Sequence, residues 1–269
     1  LRPFPENLTN LNLDKDLRQE IAFKEYENFL QTMPLLKSMH DMHPNHIHEE
    51  IELQAMDFST YLPEWLAYVP EWRDYYLKND QINHYKYLKE ILKVMQFIKG
   101  PKKWVLKSPQ HLEQINPLIK TFPDATFVIT YRDPLSVVLS TATMLSYGDR
   151  VRRYNVEPKT NFNYWHNRIK ILLQRFTENY ESIPLGQRCD IFFHDLIKDN
   201  LGSVKNIYSK NSLEFNNLAN DEIQEYIDSN KRGKHGQIIY DLDDFEVNQS
   251  DFYKSFEFYF KKFNVFKEL

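Results

Sequence analysis

The sequence predicts a helix-rich α/β fold in which a parallel sheet is flanked by helices, within one domain over residues 1–269. Two observations support this class. Apolar residues recur at three-to-four spacing over much of the chain, which is typical of amphipathic helices. In the middle of the chain, short apolar runs alternate with helical segments. This alternation predicts parallel strands joined by right-handed crossovers.

Composition excludes several classes of protein. A chain of 269 residues with 42% hydrophobic residues can bury a sizeable core. The net charge of −4, from 34 basic and 38 acidic residues, argues against a nucleic-acid partner. No apolar run approaches the roughly 18 residues of a membrane span, and no signal peptide precedes the first helix. The single cysteine, Cys189, favours a reducing compartment, so the sequence predicts a cytoplasmic protein.

Residues 1–100 are predicted to be mainly helical. Apolar spacing predicts helices from Asp14 to Leu30 and from His84 to Ile98. Between them lies a proline-broken stretch that is rich in aromatic side chains. These side chains could line a pocket for a partly apolar ligand, or they could pack in the core. They are Tyr61, Trp65, Tyr68, Trp72, Tyr75 and Tyr76.

The next segment begins with a short apolar run, Trp104–Leu106, which is predicted as a strand. Ser108 followed by Pro109 is typical of a helix N-cap with proline at the first helical position. The helix is predicted to continue through Leu118, with a bend near Pro117.

A second strand is predicted over Thr126–Tyr131, a run of β-branched and aromatic residues. Asp133 and Pro134 then form another N-cap and first-turn pair. The helix that follows is predicted to reach about Ser146, with Gly148 beyond its end.

The remainder of the chain is predicted to contain a long helix from Asn163 to Ser182 and a third strand at Cys189–Phe193. Helices follow this strand. A basic loop with two glycines, Lys231–Gly236, interrupts them, and an amphipathic aromatic helix closes the chain.

Several basic and hydroxyl side chains lie where strands give way to helices. Arg132 follows the second strand and Ser140 lies under two turns into the next helix, while Lys107 and Ser108 occupy the earlier strand-to-helix turn. Ligands bind at the carboxyl ends of parallel strands, and guanidinium and ammonium groups suit phosphate oxygens. An ordinary salt bridge is the alternative for Arg132.

The basic loop is a second candidate for anion binding. Two glycines allow a close backbone approach to a ligand. Its candidate binding residues are Arg232, Gly233, Lys234 and His235. A solvated charged loop is the alternative interpretation.

Three residues are candidates for a general base, namely His111, Glu49 and Glu50. An imidazole or a carboxylate beside a hydroxyl group can take its proton. The sequence favours His111 slightly, because an unperturbed imidazole titrates near neutral pH and a turn of helix could bring it beside Lys107. Three histidines precede the glutamate pair, but their spacing matches no metal motif, so no metal is predicted. They are His43, His46 and His48.

Taken together, these segments resemble the bacterial-type sulfotransferase family. The resemblance lies in Trp104–Leu112, Phe122–Ala125 and Tyr131–Pro134 with Ser140. Weaker similarities follow the family's order over most of the chain. They are His40–Glu50, His194–Leu196, Gly233–Gly236 and Tyr240–Phe245.

The resemblance implies a P-loop-like fold that transfers a sulfuryl group from 3′-phosphoadenylyl sulfate (PAPS) to a hydroxyl or amine of a small acceptor, without a metal. Arg132 and Ser140 match the family's grip on the 3′-phosphate, and the loop at Arg232 matches its second element. Lys107 matches the region that meets the sulfuryl group, where a cation offsets developing charge. Residues 1–100 would then form the acceptor side, and residues 101–269 the nucleotide-binding core.

One departure from the family is clear. Its members carry a Gly-rich loop after the first strand that holds the 5′-phosphosulfate, and the sequence has no similar loop and only 6 glycines. Because the first residue is Leu1 rather than Met, we expect a truncated and weakly active sulfotransferase. A non-catalytic nucleotide- or partner-binding domain is the alternative. A P-loop kinase relative is a further one, although no Walker motif is present.

Overall fold

A computed structural model describes residues 17–236 and 238–269. It confirms the predicted class, since helices dominate and a small parallel sheet lies among them. The first predicted helix begins at Asp14, outside the described residues. Before the sheet, the helices are α1 (Leu17–Thr32), α2 (Leu36–Met39), α3 (Ile51–Ala55), α4 (Leu62–Leu66), α5 (Pro70–Lys78), α6 (Ile82–Lys99) and α7 (Ile115–Thr121).

The sheet consists of β1 (Phe127–Tyr131) and β2 (Arg188–Phe192), which pair in parallel from Phe127 opposite Arg188 to Tyr131 opposite Phe192. Both strands were predicted within a residue of their bounds. After β1 come α8 (Pro134–Asp149) and α9 (Pro158–Asn179). After β2 come α10 (Phe193–Lys198), α11 (Asn200–Lys210), α12 (Asn217–Ser229), α13 (Gln249–Ser255) and α14 (Glu257–Lys262).

The strand predicted at Trp104–Leu106 is wrong. This segment has no regular secondary structure, and the Val105 side chain is 94% exposed. A strand exists only where a neighbour completes its hydrogen bonds. In the part of the chain that the structure describes, the sheet contains β1 and β2 alone.

The helix predicted after Ser108 is divided in two. Pro109–Glu113 forms a 3₁₀ turn, the backbone breaks at Gln114, and α7 follows. The predicted bend at Pro117 is therefore wrong, because Pro117 lies in the first turn of α7, where a helix has no use for the missing N–H.

The Asp133 cap is confirmed. Its carboxylate accepts a hydrogen bond from the Leu135 backbone N–H at 3.0 Å, and Pro134 is the first residue of α8. The helix runs beyond Ser146 to Asp149, so Gly148 lies inside its last turn rather than beyond its end.

The main core is formed where α8, α9 and β1 meet the aromatic helices near the end of the chain. Leu139 of α8, Phe176 of α9 and Tyr131 of β1 are buried there with Phe256 and Phe263. The predicted closing helix is split into α13 and α14 at Phe256. This packing fixes the carboxyl ends of the two strands against the end of the chain.

Candidate active site

The structure brings Arg132 to the carboxyl end of the sheet. Tyr131 and Phe192, the last residues of β1 and β2, lie opposite each other in the sheet. Arg132 and Phe193 directly follow them. The Arg132 guanidinium therefore lies over the Phe193 ring, 4.1 Å from its centroid. This is the distance of a cation–π contact.

The basic loop contacts the same Phe193 ring, although its Arg232 lies 100 residues after Arg132 in the sequence. The Arg232 guanidinium lies 5.9 Å from the centroid of Phe193. Gly233 and Gly236 have left-handed backbone angles, φ 79° and 98°, which turn the loop back on itself. Two guanidinium groups thus converge on one aromatic ring, at the carboxyl ends of the strands, where ligands bind in open α/β folds.

Ser140 is half-buried on the second turn of α8. No hydrogen bond joins its side chain to Arg132 in the described part of the chain. The convergence at the sheet edge is therefore one of Arg132 with Arg232, and the role of Ser140 stays a prediction. Lys234 is exposed in the same loop, while the backbone carbonyl of His235 accepts a hydrogen bond from the Ser38 hydroxyl.

A second cluster joins the glutamate pair to the segment around Lys107. The Lys107 ammonium forms an ion pair with Glu49, and the Lys107 backbone N–H donates to Glu50 Oε2 at 2.7 Å. Glu50 Oε1 in turn contacts His111 Nε2. The Ser108 hydroxyl is buried beside them, and it has no hydrogen-bond partner within residues 17–236 and 238–269. The second cluster therefore contains five of the predicted site residues.

Both ring nitrogens of His111 are engaged in this cluster. Nε2 contacts Glu50, and Nδ1 lies 2.8 Å from the hydroxyl of the fully buried Tyr85. An Nε2–H facing the carboxylate leaves Nδ1 to accept from Tyr85, and an imidazolium would donate from both nitrogens. In either state His111 lacks a free lone pair for a third group.

A family model decides the relationship of the chain to known proteins. The model of the sulfotransferase family matches residues 2–217. The chain belongs to the sulfotransferase family. A comparison with curated protein sequences found no match.

Two mycobacterial crystal structures share the fold of this chain. Sulfotransferase STF9 from Mycobacterium avium superposes with a TM-score of 0.78 at 18% identity, over 94% of this chain and 66% of that chain. Sulfotransferase STF1 from Mycobacterium tuberculosis H37Rv superposes with a TM-score of 0.74 at 22% identity, over 91% of this chain and 63% of that chain. The chain therefore spans just under two thirds of the length of these structures.

Several contacts of the candidate site involve residues that the sequence did not single out. Phe193, Tyr85 and Glu268 contact predicted site residues. No sequence signal identified them, because aromatic and charged residues of this kind are common in any helix or near any chain end. His40 is the exception. It lies near the charges of Glu49 and Lys107, and burial lowers its pKa below the usual value. Its place nine residues before Glu49 was the available signal.

Half of the aromatic stretch packs in or against the core, namely Tyr61, Trp65 and Tyr76, whereas Tyr68 and Tyr75 are exposed. Tyr61 and Tyr76 are 1% exposed, and the rings of Trp65 and Trp165 lie 4.5 Å apart. The cavity beside Trp65 measures about 20 Å³, too small for an acceptor. A larger cavity of about 360 Å³ lies against β2 and α11, but no predicted site residue lines it. The acceptor pocket thus stays a prediction.

The histidine segment does not form a recognisable metal centre in the described residues. His46 lies 3.8 Å from Asp41, and His48 lies 3.9 Å from Glu52, so each histidine pairs with a different carboxylate. No group of three or more His, Cys, Asp or Glu side chains within residues 17–236 and 238–269 could hold a metal ion. Over the same residues, no helix is long and apolar enough to cross a membrane.

The environment of Glu50 predicts a pH-dependent contribution to stability. Burial acts to raise its pKa, but the hydrogen bonds from His111 and the Lys107 backbone outweigh burial, and the pKa lies below the ordinary value of 4.5. A carboxylate with a depressed folded-state pKa stabilises the fold above the unfolded pKa, and this stability is lost as pH falls through the folded value.

We expect Glu50→Gln to lower the free energy of unfolding by about 1–3 kcal/mol above about pH 5. The difference from the parent should shrink as the pH falls through the lowered pKa of Glu50, because the parent then protonates Glu50 as well. Urea unfolding at pH 3 to 7 measures this. Glu52→Gln is the matched control, since Glu52 lies in α3, which directly follows its N-cap residue Glu50, and is exposed. A difference that is constant over this pH range would contradict the prediction.

Proposed function

We propose that this sulfotransferase moves a sulfuryl group from PAPS to a hydroxyl or amine of a small, partly apolar acceptor. The observation that carries the proposal is the convergence of Arg132 and Arg232 on the Phe193 ring. A pair of guanidinium groups beside an aromatic face suits a dianionic phosphate next to a flat base. Such a donor supplies an activated sulfuryl group, whose bond to the 5′-phosphate breaks as the acceptor attacks.

Within this proposal, the residues at the carboxyl ends of the two strands hold the 3′-phosphate. Arg132 and Arg232 supply the charge, Ser140 supplies a hydroxyl, and the backbone from Gly233 to His235 supplies a close approach. The second cluster lies beside the sulfuryl group that is transferred. Lys107 offsets the charge that builds on the leaving phosphate oxygen, and the unpartnered Ser108 hydroxyl is available as a donor.

We assign the general base to Glu49 rather than to His111. The Glu49 side chain is 24% exposed at the Lys107 ammonium, whereas that of Glu50 is 3% exposed and is held by Lys107 and His111. His111 is held by Glu50 and Tyr85. A group that takes the acceptor's proton needs access and a free lone pair. The His111 side chain is 18% exposed, so the contacts of both its ring nitrogens, rather than burial, favour Glu49. His111 and Glu50 then act as positioning residues.

Weak activity belongs to the same proposal. The sequence has no Gly-rich loop for the 5′-phosphosulfate, so we expect the 269-residue chain to bind nucleotide mainly through the 3′-phosphate and to turn over slowly. A non-catalytic nucleotide-binding domain is the second candidate, and the same missing loop favours it. Transfer of radiolabelled sulfate from PAPS separates the two candidates, because the second predicts binding without any turnover.

A cytoplasmic location is also proposed. The single cysteine, Cys189, is buried and unpaired in β2, which suits a reducing compartment.

Arg132→Ala tests the 3′-phosphate site. We expect 3′-phosphoadenosine 5′-phosphate (PAP) to bind the parent more tightly than AMP, and the variant to lose about 10- to 150-fold of that preference. This range corresponds to about 1.5–3 kcal/mol for a charged hydrogen bond. Isothermal titration calorimetry with both nucleotides measures it.

Arg188→Ala is the matched control for this experiment. Arg188 also pairs with a glutamate, Glu181, and lies 4.3 Å from the Tyr180 ring centroid, but it is at the amino end of β2. Its removal should leave the ratio of PAP to AMP affinity unchanged. Equal affinity of the parent for the two nucleotides would overturn the proposed donor.

A further inference from the structure

Arg132 already holds an anion, and that anion belongs to the chain itself. Arg132 Nε donates to Glu268 Oε1 at 2.9 Å, and Nη2 donates to Glu268 Oε2 at 3.0 Å. This two-pronged contact is the geometry in which a guanidinium also binds phosphate. The Glu268 carboxylate therefore occupies an edge of Arg132 that a phosphate would use.

The segment that carries Glu268 is anchored beside the site. The Glu268 backbone N–H donates to Asp133 Oδ2 at 2.8 Å, and the Tyr253 hydroxyl donates to the same oxygen at 2.8 Å. Phe266 packs edge-on against His194, with ring centroids 4.3 Å apart. The backbone of Glu268 is thus fixed by contacts that do not involve Arg132, so its carboxylate can leave Arg132 without the segment detaching.

Charge and exposure indicate that the pair can be opened by a competing anion. The Arg132 side chain is 36% exposed and that of Glu268 is 25% exposed, so solvent and ligands reach both. Exposed ion pairs contribute little to stability, about 1 kcal/mol or less. Arg232, on the same ring, has no carboxylate partner among the residues described, so its charge remains available to a ligand.

We propose that the Glu268 carboxylate is a built-in competitor for the 3′-phosphate at the donor site. This inference rests on the proposed function. The Glu268 carboxylate occupies Arg132 until a 3′-phosphate displaces it, with Arg232 contributing to the attraction. A nucleotide without a 3′-phosphate leaves the pair intact and gains nothing from Arg132.

Glu268→Gln tests this inference. Glutamine keeps the size of the side chain and removes the competing charge. We expect the Kd for PAP to fall about 3- to 10-fold, in keeping with the loss of an exposed ion pair, and the Kd for AMP to stay within about twofold. Isothermal titration calorimetry measures both, and the melting temperature checks that the variant is folded. Glu257→Gln is the control, because Glu257 is exposed on α14 and pairs with Lys261 instead.

Weaker or unchanged binding of PAP to the folded Glu268→Gln variant overturns the inference, since it would make Glu268 an orienting or neutral partner of Arg132.

Binding of inorganic phosphate separates this failure from a failure of the proposed donor. If the parent does not distinguish PAP from AMP, the donor assignment fails. Glu268→Gln should even then bind phosphate more tightly than the parent, and Glu268→Gln with Arg132→Ala should lose that gain. Equal phosphate affinity in the parent and Glu268→Gln overturns the competition itself.

Discussion

Replacing Arg168 with methionine should lower the free energy of unfolding by about 3–5 kcal/mol, the range for breaking a buried charge pair. The Arg168 side chain is fully buried on α9. Its Nε donates to Glu64 at 2.9 Å, and its terminal nitrogens donate to Glu113 at 2.7 and 2.6 Å. Its removal leaves two carboxylates without a counter-charge in the core. Urea unfolding of the parent and the variant measures the loss.

Two further variants make this prediction specific. Arg153→Met removes an arginine whose side chain is 42% exposed and paired with Asp149, and it should cost less than about 1 kcal/mol. Adding Glu64→Gln and Glu113→Gln to Arg168→Met should recover part of the lost stability, because no unpaired charge then remains. An Arg168→Met variant as stable as the parent would show that the carboxylates find other partners.

The buried arginine also bears on the active site. Glu113 ends the 3₁₀ turn that carries His111, and Glu64 lies on α4 of the proposed acceptor side. Arg168 therefore joins these two elements to α9 through charged hydrogen bonds.

Glu49→Gln should lower kcat about 100-fold or more, the low end for the loss of a general base. Glu49 is proposed to take the acceptor's proton, and glutamine cannot. His111→Ala should lower kcat less than Glu49→Gln does, because a positioning residue does not itself take the proton. Radiolabelled sulfate transfer from PAPS measures both effects.

Glu52→Gln is the control for the loss of a carboxylate from the same segment, and it should leave kcat within about twofold. If His111→Ala abolishes turnover while Glu49→Gln keeps it, His111 is the base. The contacts of His111 with Glu50 and Tyr85 would then have to open during the reaction.

The sequence predicted well those features that depend on neighbouring residues. The Asp133 cap, Pro134 at the start of α8 and the run that forms β1 were each identified correctly, because their hydrogen bonds or side-chain preferences are local. The motifs around Lys107 and Arg132 also indicated the family, which the family model confirms.

The errors arose where a feature depends on distant residues. Trp104–Leu106 has the composition of a strand, but a strand also needs a partner, and composition does not supply one. The aromatic stretch illustrates the same limit. Apolar spacing does not distinguish a ring that lines a pocket from one that packs in the core, such as Tyr61 or Tyr76.

The sequence by itself determined the fold class, the family and the chemical types of the candidate site residues. Only the tertiary structure decided which of them meet. It placed Arg132 with Arg232 on one ring, paired Arg132 with Glu268, and closed His111 between Glu50 and Tyr85. The physical reason is range. Caps and turns form within a few residues of the chain, whereas these contacts join residues far apart in sequence and exist only once the core has packed.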